Sequence, residues 1–230
     1  MQNSNKNKIR TLTLIAVFIA LAYISVTVLK FNVHFLTFDL KDAIMTVGAM
    51  LLGPIAGLIM AFLVALIEFL TISDTGVYGF IMNALSSIAF VVTASLIYKY
   101  KKTLLGAILG LLSAAGIMTA VMMLANLLIT PYYMGASPET VAGMIPTLLL
   151  PFNLVKAIFN ASLVMLIYKP VSNLLKRIRF IGGDSPVFSD EGTKKKNVLT
   201  TVLVAVCSFL VLAASVAVIF LVLHGSITWL

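Results

Sequence analysis

The chain has 230 residues, of which 61% are hydrophobic and 10% charged. Apolar runs so long and so many exceed what a soluble core of that size uses, so it reads as an all-α integral membrane protein. The formal net charge is +8, but the basic residues sit in short clusters at the ends of apolar segments, as topology signals do, which argues against nucleic-acid binding.

In chain order, Lys6, Lys8 and Arg10 precede a first apolar stretch over residues 11–29. That stretch is long for a cleaved signal and lacks a small-x-small exit before Lys30, so it is expected to be retained. Further spans are expected over 43–52, 54–70, 79–98, 103–130, 152–168 and 198–223, taking about 20 residues per crossing. The second is short, and Gly53-Pro54 either fuses it to the third as one kinked helix or turns the chain back in a hairpin. Charge decides between the two. With a hairpin, the cluster before residue 11, the Lys99, Lys101 and Lys102 cluster, and every basic residue from Lys169 to Lys196 share one face, leaving only Lys30, Lys41 and Lys156 elsewhere. Fusion would throw the 99–102 cluster to the other face, against the positive-inside rule. The reading is therefore a cytoplasmic N-terminus and, after seven crossings, an external C-terminus, with Asp39, Asp42, Asp74 and Glu139 outside.

A short second span implies that the 31–42 loop dips into the protein, because irregular backbone survives at membrane depth only where protein or water covers it. Residues 181–197 carry glycine, proline and serine followed by lysines and read as a cytoplasmic linker. It joins a six-helix core over 1–180 to one appended helix over 198–223, which holds no charge and suits an anchoring or packing role. Cys207, the single cysteine, lies in that apolar helix and is expected to be inert packing; one cysteine makes no disulfide pair or thiolate metal cluster.

Catalytic signatures are missing: there is no phosphate-cradling G-x-x-x-x-G-K-[ST] loop and no H-E-x-x-H, and His34 and His224 stand at opposite ends of the chain. The chain is read as neither an enzyme nor a metalloprotein. Its most informative residue is Lys156, an ammonium within an apolar helix, with Asn153 and Asn160 three and four residues away on the same stripe. A charge at mid-bilayer costs roughly 2.5–3.5 kcal/mol, so it points to a ligand or a pathway; snorkelling to the headgroups is the bland alternative and leaves the two asparagines unexplained. Other polar groups gather on the outer half: Asp39, Lys41, Asp42, Glu68, Thr71, Asn83, Ser86, Ser87 and Asn126. Amides and an ammonium suit a neutral ligand rich in hydroxyl or imide groups. Phe31, Phe35, Phe38, Phe80, Tyr132 and Tyr133 could stack on a flat ring, although interfacial belts put aromatics at these depths anyway.

The run Phe38-Asp39-Leu40-Lys41-Asp42, then Gly48, Leu52-Gly53-Pro54-Ile55-Ala56-Gly57, Glu68-Phe69-Leu70, the 75–83 segment T-G-V-Y-G-F-I-M-N and finally Asn153-Leu154-Val155-Lys156 resembles the riboflavin-specific substrate-binding (S) component of energy-coupling factor (ECF) vitamin transporters, over roughly residues 8–180. The resemblance implies a six-transmembrane-helix S-component fold in a bacterial cell membrane, here with one appended C-terminal helix. It implies high-affinity riboflavin capture on the outer face and delivery into an ATP-driven complex with a membrane scaffold subunit and two ATPase subunits. Carried over by position, it assigns ligand contacts to Asn126, Asn153 and Lys156, a gating loop to Phe38, Asp39, Lys41 and Asp42, and scaffold docking to Ala16 and Ala20; Asn83, Asp39, Leu40 and Lys41 are expected as further ligand contacts. No cofactor is implied beyond riboflavin as cargo. An S component for thiamine or pantothenate and a membrane scaffold without a small-molecule site are the competing readings.

Overall fold

The structure, a computed structural model, describes residues 2–28, 30–177, 194–223 and 226–228. Helix α1 (Gln2–Val28) leads into a hairpin of β1 (Lys30–Val33) and β2 (Leu36–Phe38), followed by α2 (Lys41–Leu52), α3 (Pro54–Thr71), α4 (Gly76–Tyr100) and α5 (Leu104–Met134). A short α6 (Pro138–Met144) and a π-helical turn (Ile145–Leu149) run into α7 (Leu150–Arg177), and α8 (Lys194–Leu221) and β3 (Ser226–Thr228) close the chain. Among the described residues six helices are long and apolar enough to cross a membrane, α8 being the last of them. The expected linker falls outside the described residues except for 194–197, which already belong to α8.

The element boundaries follow from local chemistry. Gly53 has φ 104° and ψ 164°, a conformation closed to residues with a Cβ, and Pro54 supplies the first helical position of α3, where its missing N–H costs nothing. The Gly53-Pro54 turn therefore reverses the chain, as the charge argument requires. Thr103 caps α5 by accepting a hydrogen bond from the Gly106 N–H at 3.1 Å, and Gly135 ends it at φ 61°. Ser137 caps α6 ahead of Pro138.

Only 12 residues long, α2 reaches about 18 Å and cannot cross a bilayer core of about 30 Å. The 31–42 loop does descend into the protein, and it does so as a β-hairpin whose pairs are Phe31 with Phe38, Asn32 with Thr37 and Val33 with Leu36. A hairpin satisfies most of its backbone groups internally, which makes it tolerable at that depth. His34 turns it with φ 53°.

The core is a helical bundle in which Phe18, Met45, Met60, Phe90, Met118 and Ala157 are buried against one another. At Gly57 a Cβ would lie 2.6 Å from the Ala49 Cβ and 3.0 Å from Val91, so glycine is what lets α2, α3 and α4 meet. Helix α8 packs on α7 outside this bundle, and its Ile219, with Leu223 just beyond its end, joins Val33, Phe38, Phe152 and Phe159 in a second cluster beneath the hairpin. Strand β3 then adds to the free edge of β1, giving the sheet order β2-β1-β3. Cys207 is exposed on α8, contrary to its expected packing role, because only one face of that helix meets the bundle.

Gly57→Ala should lower stability by about 1–3 kcal/mol through overpacking, read as a lower unfolding temperature in detergent. Gly116→Ala, where a Cβ would meet nothing within 4 Å, should leave that temperature unchanged or slightly raised.

Candidate functional site

One cavity, of about 110 Å³, opens between the hairpin, α4, α5 and α7. Asn83, Asn126, Asn153 and Lys156 all line it. Phe35, Leu36 and Thr37 cover it from the hairpin, and Tyr78, Met82, Met122, Tyr133 and Phe152 supply apolar and aromatic wall. Four of the residues expected to contact a ligand are thus brought together. Asp39, Leu40 and Lys41 stand behind that wall and do not line the cavity; Asp39 and Lys41 are buried at 1% exposure, and Leu40 packs into the cluster beneath the hairpin. The exposed Ala16 and Ala20 lie on the outward face of α1, far from the cavity.

Behind the wall runs a chain of ion pairs. Lys156 Nζ donates to Asp39 Oδ2 at 3.0 Å and to the Thr37 carbonyl at 3.1 Å. Lys41 Nζ lies 3.7 Å from the same Asp39 oxygen and donates to both oxygens of Glu68 at 2.9 and 2.7 Å. Asn83 Nδ2 donates to Glu68 Oε2 at 3.1 Å. Lys156 therefore does not snorkel: its ammonium is engaged inside the protein by Asp39 and the Thr37 carbonyl. Asp42, next in sequence, accepts a 2.6 Å hydrogen bond from Ser87 on α4.

Asn160 departs from the stripe it shares with Lys156. Its Oδ1 accepts from the Ala43 N–H at 3.0 Å and its Nδ2 donates to the Lys156 carbonyl at 3.0 Å, so it caps the otherwise unsatisfied N-terminus of α2 from α7. The Nδ2 of Asn153 donates to the Leu149 carbonyl at 2.8 Å, which leaves the Oδ1 end of its amide for the cavity. Asn126 donates to the Met122 carbonyl and accepts from Thr130, so both ends of its amide are engaged within α5. The Thr37 carbonyl carried no signal in the sequence, because a backbone oxygen has no residue type. Tyr78 was present only inside the T-G-V-Y-G run.

An ammonium, three amides and apolar walls around one cavity have the chemistry of a small-molecule site. The model of the family described as ECF transporter, substrate-specific component matches residues 10–168. The chain belongs to that family. It is 31% identical over 186 residues to the riboflavin transporter RibU of Staphylococcus aureus (strain TCH60), a match covering 76% of this chain and 96% of RibU. It also superposes on the solved S component of a bacterial ECF transporter with a TM-score of 0.59 and 31% identity, over 76% of this chain and 99% of that one. The fold is thus that of an S component, a transport protein with multiple membrane-spanning helices, and the family core ends within α7.

Replacing Lys41 by Met should strand the Glu68 carboxylate in the interior and cost about 3–5 kcal/mol. Removing both charges in Lys41→Met with Glu68→Met should recover most of that loss, measured by thermal unfolding in detergent.

Proposed function

We propose that this S component captures riboflavin from the outer face and delivers it into an ATP-driven ECF complex. The observation that carries the reading is the cavity in which Asn83, Asn153 and Lys156 face apolar and aromatic wall, in a chain 31% identical to a riboflavin transporter. A flavin has a flat ring system that suits such walls. Its pyrimidine edge offers carbonyls to an ammonium and an imide N–H to an amide oxygen. Asn126 belongs to the same wall and contributes shape, with one amide hydrogen beyond those it uses within α5.

In this reading the β1–β2 hairpin is the gate, with Phe38 to Asp42 as its anchored base. Lys156 holds the Thr37 carbonyl and Asp39 together, and a ligand carbonyl that takes up the ammonium competes with the hairpin for it. Asp39, Leu40 and Lys41 act on the ligand through Lys156 and the hairpin. The N-terminus is cytoplasmic, from the basic clusters, and the C-terminus is external, since β3 pairs with the strand that follows α1. ATP hydrolysis resides in two separate ATPase subunits.

A membrane scaffold subunit completes the complex. Ala16 and Ala20 are exposed on α1 between Leu12, Val17 and Ile24, a small-residue stripe where another helix backbone can approach closely.

Purified in detergent, the protein should quench flavin fluorescence on titration, and Lys156→Ala combined with Asn153→Ala should weaken binding at least a hundredfold. A protein that leaves flavin emission untouched but binds thiamine or pantothenate would refute the riboflavin assignment, and one that binds none of them would favour a scaffold role. Ala16→Trp with Ala20→Trp should abolish co-purification of the scaffold subunit while leaving flavin binding intact; unchanged co-purification would remove docking from this stripe.

A further inference from the structure

The amide of Asn83 has two ends with opposite chemistry, and its surroundings decide which end faces the cavity. Glu68 Oε2 takes the Asn83 Nδ2 hydrogen at 3.1 Å. A carboxyl group both of whose oxygens accept from an ammonium has only acceptors to offer, so the amide does not turn its oxygen that way. Lys41, itself buried at 1% exposure, donates to both Glu68 oxygens, so the carboxyl group presents acceptors to Asn83. Glu68 lies outside the cavity lining whereas Asn83 is part of it. The Asn83 Oδ1 has no hydrogen-bonding partner among the described residues and is not among the sealed polar atoms.

We infer that Asn83 selects for a ligand hydrogen-bond donor through its Oδ1, and that Glu68, clamped by Lys41, is the positioning residue that sets this polarity. The inference rests on the riboflavin reading and deepens it. Riboflavin carries two kinds of donor, the imide N–H of the ring and the hydroxyls of the ribityl chain, and Asn83 accepts from one of them. A site arranged for a donor rejects an analogue lacking it, because the acceptor is then left dry and unpaired.

The test is a comparison of three ligands by fluorescence titration: riboflavin, its imide-N-methylated derivative, and lumiflavin, which lacks the ribityl chain. Asn83→Ala should weaken riboflavin about tenfold, as loss of one hydrogen bond implies, and should cost less than twofold for whichever analogue has already lost the partner group. In Glu68→Gln, Lys41 claims the single amide oxygen, the new NH₂ turns toward Asn83, and the Asn83 amide must flip. The preference for riboflavin over that same analogue should then collapse as it does in Asn83→Ala. A purely structural role would weaken all three ligands equally and leave that preference unchanged. Should Glu68→Gln not accumulate in folded form, the Asn83→Ala comparison decides alone. An equal penalty on all three ligands would overturn the role of Asn83 while leaving flavin binding in place. Failure of the unaltered protein to bind any flavin would overturn both readings together.

Discussion

A charged group buried among apolar helices must find a polar or oppositely charged partner within the protein, and one end of this molecule is organised around that requirement. Because α2 is only 12 residues long, the chain ahead of it descends into the protein, where Asp39, Lys41 and Asp42 are buried. They are answered by Lys156 from α7, Glu68 from α3 and Ser87 from α4. The resulting contacts tie four helices and the hairpin to one another with directional bonds in a region where apolar packing alone would leave the helices free to slide. Such a ladder is weak evidence for net stability, since desolvation offsets much of the Coulomb attraction, but it specifies one arrangement over others.

The same ladder links the cavity to the gate. Lys156 sits on the cavity wall, and its ammonium is already committed to Thr37 and Asp39. Anything that recruits this group from the cavity side acts on the hairpin directly, without the bundle having to move. The rest of the core gives little scope for movement: residues such as Met45, Met60 and Ala114 are fully buried, and close-packed interiors shift between discrete arrangements instead of deforming gradually.

Much of this was legible in the residues. Long apolar runs marked the helices, and the Gly53-Pro54 reversal followed from the distribution of basic residues, because that distribution is a whole-chain constraint that a local pattern cannot satisfy by accident. Lys156 and Asn153 stood out because polar groups are costly in apolar helices. What escaped was the pairing. Asn160 looked equivalent to its two neighbours on the stripe, yet caps α2, and no helical periodicity reveals which distant backbone N–H lacks a partner. Asp39 and Lys41 looked like ligand contacts for a related reason: sequence spacing shows that charges are near each other but not which of them neutralise one another. The hairpin was readable only as a dipping loop, since its strands of four and three residues are too short for an alternating pattern.

Helix α8 and strand β3 lie beyond the stretch matched by the family, and they change the geography of the chain's ends. Strand β3 is stitched along β1 on the edge away from β2, so Ser226–Thr228 return to the end of the bundle where α1 finishes, whereas α1 begins at the opposite end. A reporter or affinity handle fused after β3 would load the edge of a sheet whose far strand, β2, supplies Leu36 and Thr37 to the cavity wall. The amino end offers an attachment point that leaves this sheet unloaded.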